Sequence, residues 1–270
     1  MTHKLVAAAV QLHAGADRQA NLAKAEGFVR QAAAAGAGLV VLPEVFAWRG
    51  PQSGEHAIAE SIPGPSSERM AALADECRIH LLAGSLHEAA DGDKVFNTSL
   101  LFGPDGATLA RYRKIHLFDV DIAGQVTIRE SDSRRAGDQA IVAQTSLGTI
   151  GMSVCYDLRF PELYRQLTFA GARIIVVPSA FTFTTGSAHW ETLLRARAIE
   201  NQVYIVAANQ IGAGPGGVAD YGNSMIVDPW GRVVARAGDR EMTIYGEIDF
   251  DYQDKVRRQL PCLQHVRLAP

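Results

Sequence analysis

Three reactive side chains stand at the ends of hydrophobic runs far apart in the chain: Glu44 in LVVLPE, Lys114 in ARYRKIHLF and Cys155 in TIGMSVCYDLRFPE. A carboxylate, an amine and a thiol are together the parts of a hydrolase. The carboxylate takes the thiol's proton, the thiolate attacks a carbonyl or nitrile carbon, and the ammonium stabilises the charge that develops.

Each residue has to be weighed against an ordinary use. A lone cysteine is more often a buried structural residue. Cys155, however, follows the run Thr149 to Val154 and precedes the helix-like PELYRQLTFAGA, which predicts a strand-to-helix elbow. A free thiol is only a few per cent ionised at neutral pH, so a base beside it is required. Glu44 follows Pro43 at the end of an apolar run, where a solvated loop carboxylate is the plain alternative. Burial there predicts a raised pKa. Lys114 has Arg111 and Arg113 as neighbours, and the plain alternative is one member of a basic face. Period-2 alternation separates them: Arg111 and Arg113 share one face, Tyr112 and Lys114 the other.

These residues need a scaffold, and the composition supplies one. With 270 residues, 47% of them hydrophobic, and no linker-like stretch, the chain is read as one domain over 1–270 with a large core. A net charge of −3 without long like-charge blocks speaks against nucleic acid or a membrane surface and for a small-molecule partner. The segment MTHKLVAAAVQLHAGA resembles a secretory signal, but its apolar run stops at Gln11, and no stretch approaches the roughly 20 residues that span a bilayer. Cys77, Cys155 and Cys262 are odd in number and widely spaced, as expected of reduced thiols in a cytoplasm. No metal-ligand spacing occurs among the eight histidines.

Strand-like and helix-like segments alternate. VAAAVQ precedes a predicted helix over about Asp17 to Ala35, then come LVVLP, a helix near Ser66 to Cys77, the strand HLLAGSLHE, and a strand pair turning at Pro104-Asp105-Gly106. The second half repeats this order. GAGLVVLPEVF (36–46) aligns with GARIIVVPSAF (171–181), and NTSLLFGPDGATLAR (97–111) with GNSMIVDPWGRVVAR (222–236). The reading is α/β: two mixed, pseudo-equivalent sheets packed face to face and covered by helices, a four-layer α-β-β-α sandwich. Ser179 stands where the first copy has Glu44. Runs such as LVVL and IIVV predict strands buried on both faces, with a site at their carboxyl ends.

PE after a β-run, YRKIHLFD and CYDLRFPE resemble the three signatures of the nitrilase-like carbon-nitrogen hydrolases. PSAFTFTTGSAHWETLLRARAIENQVYIVAANQ, YGNSMIVDPWGRVVA and RRQLPCLQH are similar to the branch containing deaminated-glutathione amidase and ω-amidase. The resemblance implies the four-layer fold, a cofactor-free Glu44-Lys114-Cys155 trio and dimers or larger homo-oligomers. It also implies that Glu130, in VTIRES, orients the lysine and substrate. The polar segment DVDIAGQVTIRESDSRR is expected to be mobile, and a loop carrying Phe118 and Glu130 to close over substrate.

Other features are set aside. Asp157 and Arg159 are expected to form an ion pair holding the elbow, and the stretch from His189 and Trp190 to a helical packing face with a Glu191–Arg195 pair. Gly151 to Cys155 misses the last glycine of a GxSxG elbow, and Gly212, Gly214 and Gly217 lack a following helix. His116 and His189 lie in no protease signature. The sequence thus predicts an amidase that opens a linear C–N bond through a Cys155 thioester and releases ammonia. The resemblance implies deaminated glutathione or a 2-oxo-acid ω-amide as substrate, and its carboxylate calls for a cation such as Arg173, Arg195 or Arg197. A nitrilase, an N-carbamoyl amidohydrolase and a catalytically idle scaffold are the alternatives.

Overall fold

The computed structural model describes residues 4–124 and 126–268; Met1 to His3 of the signal-like segment and Gln125 of the polar loop lie outside the described residues. The first sheet is built on β1 (Lys4–Gln11), β2 (Leu39–Val41) and β3 (His80–Leu82), which run parallel. α1 (Arg18–Ala34) connects the first two, and α2 (Glu55–Ile58) and α3 (Pro65–Cys77) connect the second pair. Asp17 caps α1 by accepting from the Ala20 amide at 3.0 Å, and Pro65 opens α3 where no amide donor is needed. β4 (Leu86–Ala89), β5 (Val95–Phe102) and β6 (Thr108–Arg113) follow antiparallel.

The expected strand HLLAGSLHE is therefore two strands on one ladder of β5, parted at Gly84. That residue has φ +41°, and a Cβ built on it would lie 1.9 Å from the Pro43 carbonyl oxygen. The polar loop after Lys114 is also more regular than expected. It forms a hairpin of β7 (Asp119–Ile122) and β8 (Val126–Arg129), a 3-10 turn Glu130–Asp132, and β9 (Arg134–Arg135), which pairs with β5.

The second sheet has β10 (Val142–Thr145), β11 (Gly148–Met152), β12 (Ile174–Ser179), β13 (Tyr204–Asn209), β16 (Met225–Val227) and β17 (Val233–Arg236), in that order. Between β13 and β16 lies a small ribbon of β14 (Ile211–Ala213) and β15 (Ala219–Tyr221). β18 (Met242–Asp249) returns to the first sheet beside β1. Along β18-β1-β2-β3-β5-β6 the pairings run antiparallel, parallel, parallel, antiparallel, antiparallel, and the second sheet repeats the pattern. The internal repeat extends to detail. The β5–β6 register shifts between Leu101 and Phe102, and the β16–β17 register between Ile226 and Val227, the aligned positions.

Alternation along the strands builds the layers. Leu5, Ala7 and Ala9 of β1, with Leu39 and Val41 of β2, face the second sheet in a core shared with Ile150, Met152 and Val176. Ala8, Val10 and Val40 face outward onto Leu22, Ala25 and Val29 of α1 and Met70 and Leu73 of α3. The other outer layer is α4 (Pro161–Phe169) and α5 (Phe183–Asn201), which bury Tyr164, Leu167, Trp190 and Leu194. α6 (Phe250–Gln259) closes the bottom with Phe250 and Val256. The stretch from His189 packs as expected, with Trp190 buried and Glu191 3.5 Å from Arg195. No helix among the described residues is long and apolar enough to cross a membrane.

Cys155 does lie at a strand-to-helix elbow, between β11 and the 3-10 turn Cys155–Arg159 that leads into α4, with φ +49°. Asp157 holds this bend, but not through Arg159. Its carboxylate is fully buried and accepts from the Tyr112 hydroxyl (2.6 Å), the Val154 amide (2.8 Å), the His116 amide (3.1 Å) and His116 Nδ1 (2.7 Å). Arg159 instead lies over the rings of Tyr156 and Phe181 and meets His189. A buried carboxylate is cheapest where several donors converge, and the segment 112–116 around Lys114 supplies all of them but the Val154 amide.

Two stability predictions follow from these contacts. Gly84→Ala pushes the Pro43 carbonyl away and strains a positive-φ residue, so chemical denaturation should show a loss of about 2 kcal/mol or more. Asp157→Asn presents an amide donor to groups that themselves donate; a loss of about 2 to 3 kcal/mol is expected in the same measurement. A Tm within a degree of the parent in either variant would contradict the packing described.

Candidate active site

Glu44 ends β2's extension through Leu42 and Pro43, and its side chain is 3% exposed. Oε1 accepts from Asn97 Nδ2 at 2.7 Å and Lys114 Nζ at 3.0 Å, and Oε2 accepts from the Ala180 amide at 2.8 Å. Asn97 belongs to the first sheet and Ala180 follows β12 of the second, so this carboxylate ties the two sheets together. The turn is held by Gln210 Nε2, which donates to the Glu44 carbonyl, and by the Val45 amide, which donates to Ser85 Oγ.

Lys114 follows β6, its amide donating to the Asn97 carbonyl at 2.9 Å. The alternation argument holds. Arg111 and Arg113 turn outward to Glu88, whereas Tyr112 and Lys114 are buried. Lys114 Nζ also reaches Glu130 Oε1 at 3.1 Å and Oε2 at 2.9 Å. Glu130 Oε2 accepts in addition from the Phe118 amide at 2.8 Å, so the hairpin's two ends are joined by this one carboxylate.

Glu44, Lys114, Glu130 and Cys155 all line one cavity of about 580 Å³, together with Trp48, Phe118 and Ala180. Cys155 is 6% exposed, so only what enters this cavity can reach its sulfur. The wall also contains Arg49, Glu55, His87, Arg129 and Arg134, none of which stood out in the sequence. Their signal is weak: Glu55 and His87 look like surface residues, and Arg134 sits in a strand only two residues long. Arg173, Arg195 and Arg197, the expected carboxylate binders, are elsewhere. Arg173 meets Gln253 and Asp254, Arg195 the Gly231 carbonyl, and Arg197 the Leu158 carbonyl and Glu200.

The electrostatics correct one expectation. Burial by itself would raise the Glu44 pKa, but the charges of Lys114 and Arg134 and hydrogen bonds from Cys155 and Lys114 outweigh it and hold the carboxyl at about 2. Burial pushes the Lys114 ammonium toward deprotonation, yet Glu130 and Glu44 reverse this and raise its pKa. Burial, with Glu44 beside it, drives the Cys155 thiol well above its ordinary pKa. At rest the group is thus carboxylate, ammonium and neutral thiol. Behind Arg49 of the wall, Asp220, which accepts from Arg49 Nη2 at 2.6 Å, is pushed up to about 7 by burial against the opposing charge of Arg49. Among the described residues no cluster of His, Cys, Asp and Glu is arranged to hold a metal ion. An ionised base, a thiol and a fixed ammonium around one cavity are equipped for nucleophilic attack on an electrophilic carbon.

The carbon-nitrogen hydrolase family model matches residues 6–258. A human protein named omega-amidase NIT2 is 40% identical over 262 residues, covering 96% of this chain and 94% of its own. The C. elegans NitFhit crystal structure superposes with a TM-score of 0.91 at 40% identity, covering 98% of this chain, which in turn spans 65% of NitFhit. An amidase from Nesterenkonia sp. AN1, seen after Michael addition of acrylamide at its active-site cysteine, matches with a TM-score of 0.81 at 26% identity over 96% of this chain and 99% of that one. The chain therefore belongs to the carbon-nitrogen hydrolase family of the nitrilase superfamily and is a hydrolase of non-peptide C–N bonds.

Proposed function

We propose that this enzyme hydrolyses the amide of a small carboxylate-bearing molecule, a 2-oxo-acid ω-amide such as α-ketoglutaramate or else deaminated glutathione, through a thioester on Cys155. The convergence of Glu44, Lys114, Glu130 and Cys155 on one cavity carries the reading, and the similarity to ω-amidases supports the substrate class. The whole chain acts as one catalytic domain. Three unpaired cysteines favour a reducing cytoplasm, and assembly as a homodimer or larger homo-oligomer is part of the same reading.

The resting charges dictate the order of events. A thiol with a raised pKa next to a carboxylate held near 2 does not ionise in advance, so Glu44 takes the proton from Sγ only as sulfur bonds to the amide carbon. The carbonyl oxygen then carries the negative charge, and the Lys114 ammonium, itself fixed by Glu130, stabilises it. Protonated Glu44 returns the proton to nitrogen, the C–N bond breaks and ammonia leaves. Ionised again, Glu44 takes a proton from water, whose oxygen attacks the thioester carbon. The C–S bond breaks, the thiolate recovers the proton, and the carboxylic acid departs.

Four cations line the cavity, and two of them are engaged twice: Lys114 by Glu44 and Glu130, Arg134 by Glu55 and Glu130. Arg49 and Arg129 are the ones left to meet a substrate carboxylate. Arg49 is the better placed, because its partner Asp220 titrates near neutrality and loses its hold when protonated.

Cys155→Ala should abolish ammonia release and the acyl-enzyme mass, while Cys77→Ala and Cys262→Ala remain active. Glu44→Gln and Lys114→Met should each lower kcat about a hundredfold or more. Retention of substantial activity by Cys155→Ala would end the thioester mechanism. In a panel of amides, nitriles and ureido acids, α-ketoglutaramate or deaminated glutathione should be fastest. Methyl esterification of the substrate carboxylate should cut kcat/KM about tenfold or more, since a charge-assisted hydrogen bond is lost. A preference for nitriles, or an ester turned over undiminished, would favour the nitrilase alternative.

A further inference from the structure

The proposed chemistry leaves a second pair of buried opposite charges without a role. Arg134 opens β9, and its guanidinium, 11% exposed, lies between two carboxylates. Nε and Nη2 meet the Glu55 carboxylate at 3.1 and 2.6 Å, and Nη1 meets Glu130 Oε1 at 2.5 Å. Glu55, at the start of α2, is braced in turn by Ser133 Oγ at 2.7 Å. The next residue, Arg135, turns the other way, its guanidinium over the Phe96 ring. Only one of the two arginines serves the cavity.

Glu130 consequently has no idle oxygen. Oε1 receives Lys114 and Arg134, and Oε2 receives Lys114 and the Phe118 amide. We infer that Arg134, braced by Glu55, is a positioning residue that fixes the Glu130 carboxylate and, through it, aims the Lys114 ammonium at the reacting oxygen. This rests on the roles proposed above for Glu44, Lys114 and Cys155. A planar guanidinium that grips two carboxylates fixes their orientation as well as their distance, which a point charge does not. Arg134 also sets the charge of the group. Glu44 and Glu130 meet Lys114, and Glu130 and Glu55 meet Arg134; without the arginine, three buried carboxylates are left with one ammonium, which meets only two of them, and the group should take up a proton. Arg134 is among the charges that keep Glu44 ionised, so part of that uptake falls on the proposed base.

The test compares wild type, Arg134→Met, Arg134→Lys and Glu55→Gln as full-length enzymes, reading ammonia release from α-ketoglutaramate in brief exposures between about pH 2 and 9, a window that contains the ionisation of Glu44. The groups facing Glu44 are Lys114, Arg134, Cys155 and Asp220, with Glu130, Glu55 and His87 behind them. Arg134→Met should lower kcat about tenfold with KM within about threefold, and move the acid limb up by about one pH unit, because the base must be ionised and now holds its proton to higher pH. Arg134→Lys keeps the charge but not the fork: its acid limb should stay within about 0.3 unit of wild type while kcat falls about threefold. Glu55→Gln should lower kcat without raising the limb. An unmoved limb with kcat within about twofold in Arg134→Met, or a pH-independent loss that merely tracks Tm, would overturn the inference. Should Arg134→Met not fold, wild-type kcat in both other variants would overturn it equally. Intact mass separates the two levels of failure. No acyl-enzyme on wild-type Cys155 defeats the proposed chemistry, whereas equal acylation rates in wild type and Arg134→Met defeat only the positioning role.

Discussion

The constraint on which the cavity depends is the burial of one ammonium. Lys114 is 1% exposed, and removing such a charge from water costs several kcal/mol even after the surroundings relax. A single carboxylate at this depth would bring its own desolvation cost. Here two carboxylates share the ammonium, and each is itself saturated with donors: Glu44 by Asn97 and the Ala180 amide, Glu130 by the Phe118 amide and Arg134. Every one of those donors sits on a different segment. Strands of both sheets, the hairpin after Lys114 and the two-residue β9 must all be in place before the charge is compensated. The site is therefore as rigid as the fold.

The internal repeat shows how a nearly symmetric scaffold acquires an asymmetric site. β2 and β12 are equivalent central strands, each running into a proline at its end. The first turn offers a carboxylate at Glu44. The second has Ser179 in that place and offers instead the next backbone amide, Ala180, which donates to Glu44 across the sheet interface. One copy supplies the charge, the other a donor that holds it. Sheet packing thus acts directly on the proposed base: shear between the layers would lengthen a hydrogen bond to the Glu44 carboxylate.

Much of this was legible in the sequence, where a local rule applied. Two-residue alternation separated Lys114 from Arg111 and Arg113, and the repeat predicted two pseudo-equivalent sheets, a likeness that the structure extends to register shifts at aligned positions. Reasoning failed where partners come from distant segments. The rise expected for Glu44 on burial is reversed by Lys114 and Arg134, and no pattern near residue 44 reports on residue 134. Asp157 looked like a partner for Arg159, two residues away; apart from the Val154 amide, the donors that capture it lie on the segment 112–116. Arg173 looked available because its partner Asp254 lies far along the chain, whereas Arg195 and Arg197 are held within one turn of their own helix by Glu191 and Glu200 and by the carbonyls of Gly231 and Leu158. A strand of two residues such as β9 leaves no periodic trace at all.

The balance of charge also bears on selectivity. Three carboxylates facing two cations leave the buried group with an excess of negative charge, and a thiolate on Cys155 would add to it. The raised pKa of the thiol expresses that repulsion together with its burial. Because the thiolate is the reactive form toward oxidants and alkylating agents, a sulfur that stays protonated at rest is protected from them. In the proposed mechanism it loses its proton only when an electrophilic carbon is within bonding distance and negative charge can pass to an oxygen facing Lys114. An incoming molecule that cannot deliver that oxygen to the ammonium leaves the added charge uncompensated. The arrangement that keeps the sulfur quiet is then the one that selects for a correctly seated carbonyl group, since the ammonium that balances the resting carboxylates is also the cation to which the proposed attack delivers its new negative charge.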